Sequence, residues 1–271
     1  MSLKMIKVEK DLNDIPSSLN PKPETLTGHA RIKARTTYVR RLEHVLAKKY
    51  INDDNHNSRY KINDIRNSLK KIYNSKCAYC ETKVEQYHID HYRPKVIYYW
   101  LAYSWDNLII SCPQCNENKN DLFDIRGGQR ASFRKRYKKL NDINKISTRY
   151  DLYEQPKLIN VETFDPYPHL IFDRFGKITS TNLNVRHTIE RCQIDRKWLN
   201  DERKKVLDDL EKSVAVEIIA NADPLDQINA IKVLLRDFTI KAMDKKNQYL
   251  AFRRFHIEKK TLNQIINQLL A

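Results

Sequence analysis

Residues 77–119 read CAYCETKVEQYHIDHYRPKVIYYWLAYSWDNLIISCPQCNENK. The stretch opens and closes on a C-x-x-C pair, Cys77/Cys80 and Cys112/Cys115. Zinc favours four soft thiolates in a tetrahedron, and each tight knuckle supplies two of them. Residues 81–111, which separate the pairs, are too few to bury a core of their own. Zinc binding worth roughly 10–16 kcal/mol would therefore do much of the folding. Four cysteines leave no open coordination position, so this zinc is expected to be structural. Four unrelated thiols or a redox pair fit two matched knuckles less well. A zinc clamp alone would also suit a non-catalytic nucleic-acid-binding or adaptor protein, so the residues between the pairs decide the reading.

Those residues predict a knuckle, a strand, a long loop, a second strand, the second knuckle and a short helix. Asp90 stands directly before His91, Asp106-Asn107-Leu108 opens the second strand, and Cys115-Asn116-Glu117-Asn118-Lys119 opens the helix. The pattern D-H…N-L…C-x-x-C-N-x-x-K resembles the HNH (ββα-metal) endonuclease motif in its cysteine-framed form. The fuller text CAYCE…HIDHYRPK…WDNLIISCPQCNENK is similar to the HNH endonucleases of retron and Septu anti-phage systems. This match covers about a sixth of the chain.

By position, the resemblance makes His91 the general base that activates water. Histidine suits the task because its ordinary pKa lies near the pH of the cell. It makes Asn107 the residue whose amide orients the His91 ring, and Asp90 a metal ligand. Asn116 stands where many HNH enzymes carry their last histidine, and would be the second ligand. Aspartate with asparagine is an oxygen-donor pair, which favours Mg²⁺ or Mn²⁺ for catalysis. The family implies products with 5′-phosphate and 3′-hydroxyl ends. Strict strand alternation would send Asp90 and His91 to opposite faces. Both reach one site only if the strand bends or ends there, as Arg93-Pro94 suggests. His88 shares a face with Asp90, as a third ligand, a phosphate contact or a packed strand histidine. Arg93 and Lys95 are candidates to grip phosphate, and Lys119, one helical turn from Asn116, faces the same groove. Solvated charge is the plain alternative for all three. Glu81 reads either as support for the base or as a surface turn residue. Tyr98, Tyr99, Trp100, Tyr103 and Trp105 crowd the loop, and fit a small local core better than a platform for stacking bases.

Outside this stretch the chain reads as helix over most of its length, which gives an α+β, mostly helical fold. The expected segments are an N-terminal arm and basic helices (1–75), the zinc-stapled motif (76–125), a basic segment with short strands (126–182) and a helical C-terminal region (183–271). Cys192 and the apolar stripes of that last region read as core. His169, His187 and His256 have no partner spacing. The 271 residues hold 50 Lys and Arg against 34 Asp and Glu, a formal charge of +16, with a pI near 9.5. Such an imbalance favours polyanions. Charge does not separate DNA from RNA, since both present phosphates; DNA is the substrate the resemblance favours, with RNA as the alternative. A lysine-rich soluble protein with no such partner is the blander reading of charge alone. No run approaches the ~18 apolar residues of a membrane span, the opening lacks a secretory apolar run, and unpaired cysteines suit the cytoplasm. The resemblance further implies a defence role beside an ATPase partner protein.

Overall fold

The computed structural model describes residues 8–133, 140 and 142–270. The basic residues Arg134, Lys135, Arg136, Lys138 and Lys139 lie outside the described residues. The described residues divide into two compact units, one drawn from residues 8–79 with Val84–Phe164, the other from Cys80–Lys83 with residues 165–270.

The first unit opens with helices α1 (Gly28–Ala47), α2 (Asp54–Asn57) and α3 (Asn63–Ile72). Helix α1 stops where Lys48 adopts a left-handed conformation, φ 53°, and its N–H bonds back to the last turn. Helix α2 starts on Asp53, whose carboxylate accepts from the His56 N–H. Helix α3 buries Ile65 and Leu69, four residues apart on one face. Strands β1 (His88–His91) and β2 (Leu108–Ser111) then pair antiparallel, with His88 opposite Ser111 and His91 opposite Leu108. All four residues of β2 are buried, so this strand is covered on both faces. Helix α4 (Pro113–Lys119) follows, with Pro113 in its first turn, where no backbone N–H is needed. The short helices α5 (Ile146–Arg149) and α6 (Asp151–Glu154) complete this unit.

One feature here departs from a plain reading of the sequence, and a second, the aromatic loop, agrees with it. The arm before α1 is anchored by Lys10, whose ammonium is fully buried and donates to the Trp105 carbonyl (2.9 Å) and to Glu162 (2.7 Å). The loop aromatics Tyr98, Trp100, Tyr103 and Trp105 are at most 2% exposed. They form the local core and offer no surface for stacking on bases; Tyr99 is half-buried.

The second unit holds the hairpin β3 (Leu170–Phe172) and β4 (Ile178–Ser180), then helices α7 (Leu183–Arg191), α8 (Lys197–Ala220), α9 (Pro224–Met243), α10 (Leu250–Glu258) and α11 (Thr261–Leu270). The hairpin turns at Gly176, φ +83°, where an added Cβ would lie 2.1 Å from the Asn200 carbonyl oxygen. Asp223 caps α9 by accepting from the Leu225 and Asp226 N–H groups, with Pro224 in the first turn. Cys192 is buried, in keeping with its reading as a small core residue. No helix among the described residues is long and apolar enough to cross a membrane.

Candidate active site and zinc centre

The four knuckle cysteines are buried, and their Sγ atoms lie within 4.8 Å of one another. A zinc tetrahedron with ~2.3 Å bonds needs sulfurs roughly 3.8 Å apart, so the cluster fits zinc after small adjustments. Cys112 also accepts from the Cys115 N–H at 3.4 Å, which ties the second knuckle to the start of α4. Glu81, in the left-handed region at φ 59°, does not support a base. Its carboxylate accepts from the Ala251 N–H (3.0 Å) and caps the first turn of α10.

Strand β1 ends at His91. The His91 ring is 5% exposed. Its Nε2 pairs with the Ala102 carbonyl oxygen at 2.9 Å, and a carbonyl only accepts. Nε2 must therefore carry the hydrogen, which leaves Nδ1 as the lone-pair nitrogen. The edge of Tyr60 packs on the ring, centroids 4.6 Å apart. Burial above all, then the positive charge of Lys95, holds the imidazole down to about 3. It is neutral at cellular pH, with Nδ1 unprotonated.

Asp90 is nearly buried and has both oxygens engaged. Tyr79 donates its hydroxyl to Oδ2 (2.9 Å), and the Lys119 ammonium donates to Oδ1 (3.1 Å) and to the His91 carbonyl (2.8 Å). Lys119 thus spans from α4 to the end of β1 and faces the site. The Asn116 side chain reaches His88 Nδ1 at 3.1 Å. His88 is exposed and lies on the Asp90 side of β1, so His88, Asp90, Asn116 and Lys119 gather at one edge of the ββα unit.

Asn107 makes no bond to the His91 ring. Its Oδ1 accepts from the Arg93 N–H (2.8 Å), and its Nδ2 donates to the carbonyls of Arg93 (3.0 Å) and Leu101 (3.3 Å). It pins both ends of the loop that presents the Ala102 carbonyl, and so orients His91 through backbone.

Arg93 is corrected outright as a phosphate contact. Its guanidinium is fully buried and donates to Glu154 (2.9 Å), Ser147 (3.0 Å) and Asp151 (2.6 Å). The rings of Tyr92, Tyr98, Phe123 and Tyr150 surround it at 5.2–5.8 Å. Breaking a buried pair leaves uncompensated charge and costs about 3–5 kcal/mol, and an ammonium cannot reproduce the fork. The Arg93→Lys variant should therefore lose urea stability on that scale; a shift below about 1 kcal/mol would contradict this account. Lys95 differs. It is half-buried, donates to Asn57 (3.2 Å) and the Tyr60 hydroxyl (2.8 Å), and is drawn down to about 8, chiefly by burial.

Burial also depresses His44 and His256 to about 4 each. With His91 at about 3, three histidines have folded values below the ordinary 6.5. Between those limits the unfolded chain binds more protons, so stability should fall as pH drops from about 6.5 toward 4. Asp106, raised to about 6 by burial, and Asp151, also raised by burial, oppose this in part. Urea midpoints should be lower at pH 5 than at pH 7. The His256→Phe variant, beside Phe252 and Phe255, should show a flatter dependence.

The sequence alone did not reveal Tyr60, Tyr79 or the Ala102 carbonyl. Tyr79 lies inside the first knuckle and was open to notice. The other two carry no local signal, one being backbone and one lying outside the motif.

An HNH endonuclease family model matches residues 77–122. The chain is 30% identical over 255 residues to Septu protein PtuB of Bacillus mycoides (strain KBAB4), covering 86% of this chain and 75% of that protein. It is 36% identical over 59 residues to Septu protein PtuB of Bacillus thuringiensis, 20% of this chain and 23% of that one. Septu protein PtuA of Bacillus mycoides (strain KBAB4) aligns at 22% identity over 155 residues, 51% of this chain and 20% of that protein. With its cysteine frame and ββα order, the chain is a nuclease that belongs to the HNH endonuclease family of Septu protein PtuB.

Proposed function

We propose that this nuclease cuts DNA by metal-dependent phosphodiester hydrolysis, as the nuclease component of an anti-phage defence system. The observation that carries the reading is the bond from His91 Nε2 to the Ala102 carbonyl, which leaves Nδ1 free to accept a proton. In this scheme Nδ1 takes a proton from the attacking water, a new O–P bond forms, and the bond to the 3′ oxygen breaks, that oxygen taking a proton from solvent water. The products carry 5′-phosphate and 3′-hydroxyl ends.

Asp90 and Asn116, with His88 as the third donor, would hold Mg²⁺ or Mn²⁺. The oxygen-rich donor set suits such an ion, though Lys119 must give ground at Asp90 Oδ1. When bound, the ion would supply charge neutralisation at the phosphoryl group and the leaving oxygen. The charge distribution supports a polyanionic substrate. Residues 1–164 carry 31 Lys and Arg against 19 Asp and Glu, whereas residues 165–271 carry 19 against 15. The alignment with PtuA supports a second protein component in the system, and the family resemblance implies an ATPase in that place.

The test sets duplex DNA, single-stranded DNA and tRNA side by side, with Mg²⁺, Mn²⁺ or EDTA, with and without an ATPase partner. Cleavage of DNA that EDTA abolishes is the expected result. Cleavage of tRNA alone would overturn the DNA assignment, and cleavage undiminished by EDTA would overturn the metal.

A further inference from the structure

We infer that Lys95, with Tyr60, Asn57 and Lys61, forms a phosphate-binding site beside His91 that grips a phosphodiester of the substrate strand. Three of these residues lie before the matched motif, Asn57 at the end of α2 and Tyr60 and Lys61 between α2 and α3. The inference rests on the nuclease reading above.

The Lys95 ammonium is half-buried, yet its acceptors are neutral. It donates to Asn57 Oδ1 and to the Tyr60 hydroxyl, and sits 4.5 Å and 4.8 Å from the Tyr50 and Tyr60 ring centroids. Asn57 Oδ1 is held in place by the Tyr50 hydroxyl at 2.8 Å, so the cradle is built rather than incidental. Two N–H groups are thereby used and one remains. Among the described residues no carboxylate lies within ion-pair distance of Lys95. The two that attract it, Asp121 and Asp90, act from farther away, and Asp90 already accepts from Lys119 and Tyr79.

A second cation is near. Lys61 Nζ lies 5.5 Å from the Tyr60 ring centroid, is exposed, and repels Lys95. Holding two like charges close, one of them half-removed from water, is unfavourable in the isolated protein. An anion between them reverses the sign. The Tyr60 ring links the pair to chemistry, because the same ring packs edge-on against His91. An anion at Lys95 therefore lies about one aromatic ring from the proposed base. A neighbouring backbone phosphate of a bound strand fits, since phosphate contacts fix register without reading sequence.

The experiment uses the full chain in a His91→Ala background, so that binding is read without cleavage. Fluorescence anisotropy with a labelled duplex DNA and the matching duplex RNA is measured across a salt series. Lys95→Met should weaken binding about 10- to 100-fold, the range for one charge-assisted contact. It should also reduce the slope of log K against log salt by about one, and Lys95→Arg should recover part of both. Equal losses on DNA and RNA identify the phosphodiester itself as ligand; a loss on one alone assigns the site to that nucleic acid. Should Lys95→Met fold poorly, the ¹³Cε resonance of the unmutated Lys95, identified by its loss in Lys95→Arg, should move when the dinucleotide d(TpT) is added. Unchanged affinity and salt slope, or a Lys95 resonance indifferent to d(TpT), overturns the site. Failures separate cleanly. Binding that ignores Lys95 while His91→Ala abolishes cleavage sinks only this site, and binding that needs Lys95 while His91→Ala still cuts sinks only the base.

Discussion

Chelating zinc from this protein should unfold the nuclease unit while leaving much of the C-terminal helix intact. The strands β1 and β2 have four residues each, and α4 has seven. A two-stranded ribbon and a two-turn helix of this size do not persist alone in water. The buried thiolates would also repel one another without a cation. Structural zinc in small domains contributes on the order of 10 kcal/mol, comparable to the whole stability of an ordinary domain. The tryptophans give a readout local to the event. Trp100 and Trp105 are buried beside the site, whereas Trp198 in α8 is already 53% exposed. Chelation, or Cys115→Ser, should shift tryptophan emission to the red, with only partial loss of helical circular dichroism. Elemental analysis should find one zinc per chain. Metal-free protein with unchanged emission and an unchanged unfolding midpoint would remove zinc from the account.

The second large effect concerns His91. Loss of a general base costs about 10²- to 10⁴-fold in rate, so His91→Ala should lower cleavage by that factor with nucleic-acid affinity retained. Asn107→Ala should differ in kind. Its amide bonds backbone of the loop and accepts from the Ser147 hydroxyl, and does not bond the His91 ring, so the variant should lose stability and rate together as the 93–101 loop loosens. A stable Asn107→Ala protein with full activity would show that the loop holds the Ala102 carbonyl without it.

Much of this site was legible because its signals are local. Two C-x-x-C pairs, a D-H step and a short helix opening on Cys115 need no knowledge of distant contacts, and the ββα order follows from them. The helical stripes were equally plain, as the Asp223-Pro224 start of α9 illustrates. Charged residues whose partners lie far along the chain were not legible. Arg93 looks solvated until Asp151 and Glu154 are brought to it, 58 and 61 residues later. Lys10 looks like part of a loose arm until Glu162 closes on it. Glu81 looks like a turn residue until the N-terminus of α10 meets it. For Asn107 the expected bond to the His91 ring is replaced by bonds to loop backbone, because spacing says nothing about which backbone groups a side chain will bond.

The buried Arg93 fork bears on how such a motif can be moved. A transplant limited to residues 77–122 would carry all four sulfurs and His91, and so would look complete. It would leave behind Asp151 and Glu154, which neutralise the guanidinium, Ser147, which accepts from it, and Tyr60, which backs the imidazole. The catalytic signature is therefore not a portable cassette. Its inheritance unit extends at least from Tyr60 to Glu154, and grafts or chimeras drawn inside those limits should fail at assembly before their chemistry is ever tested.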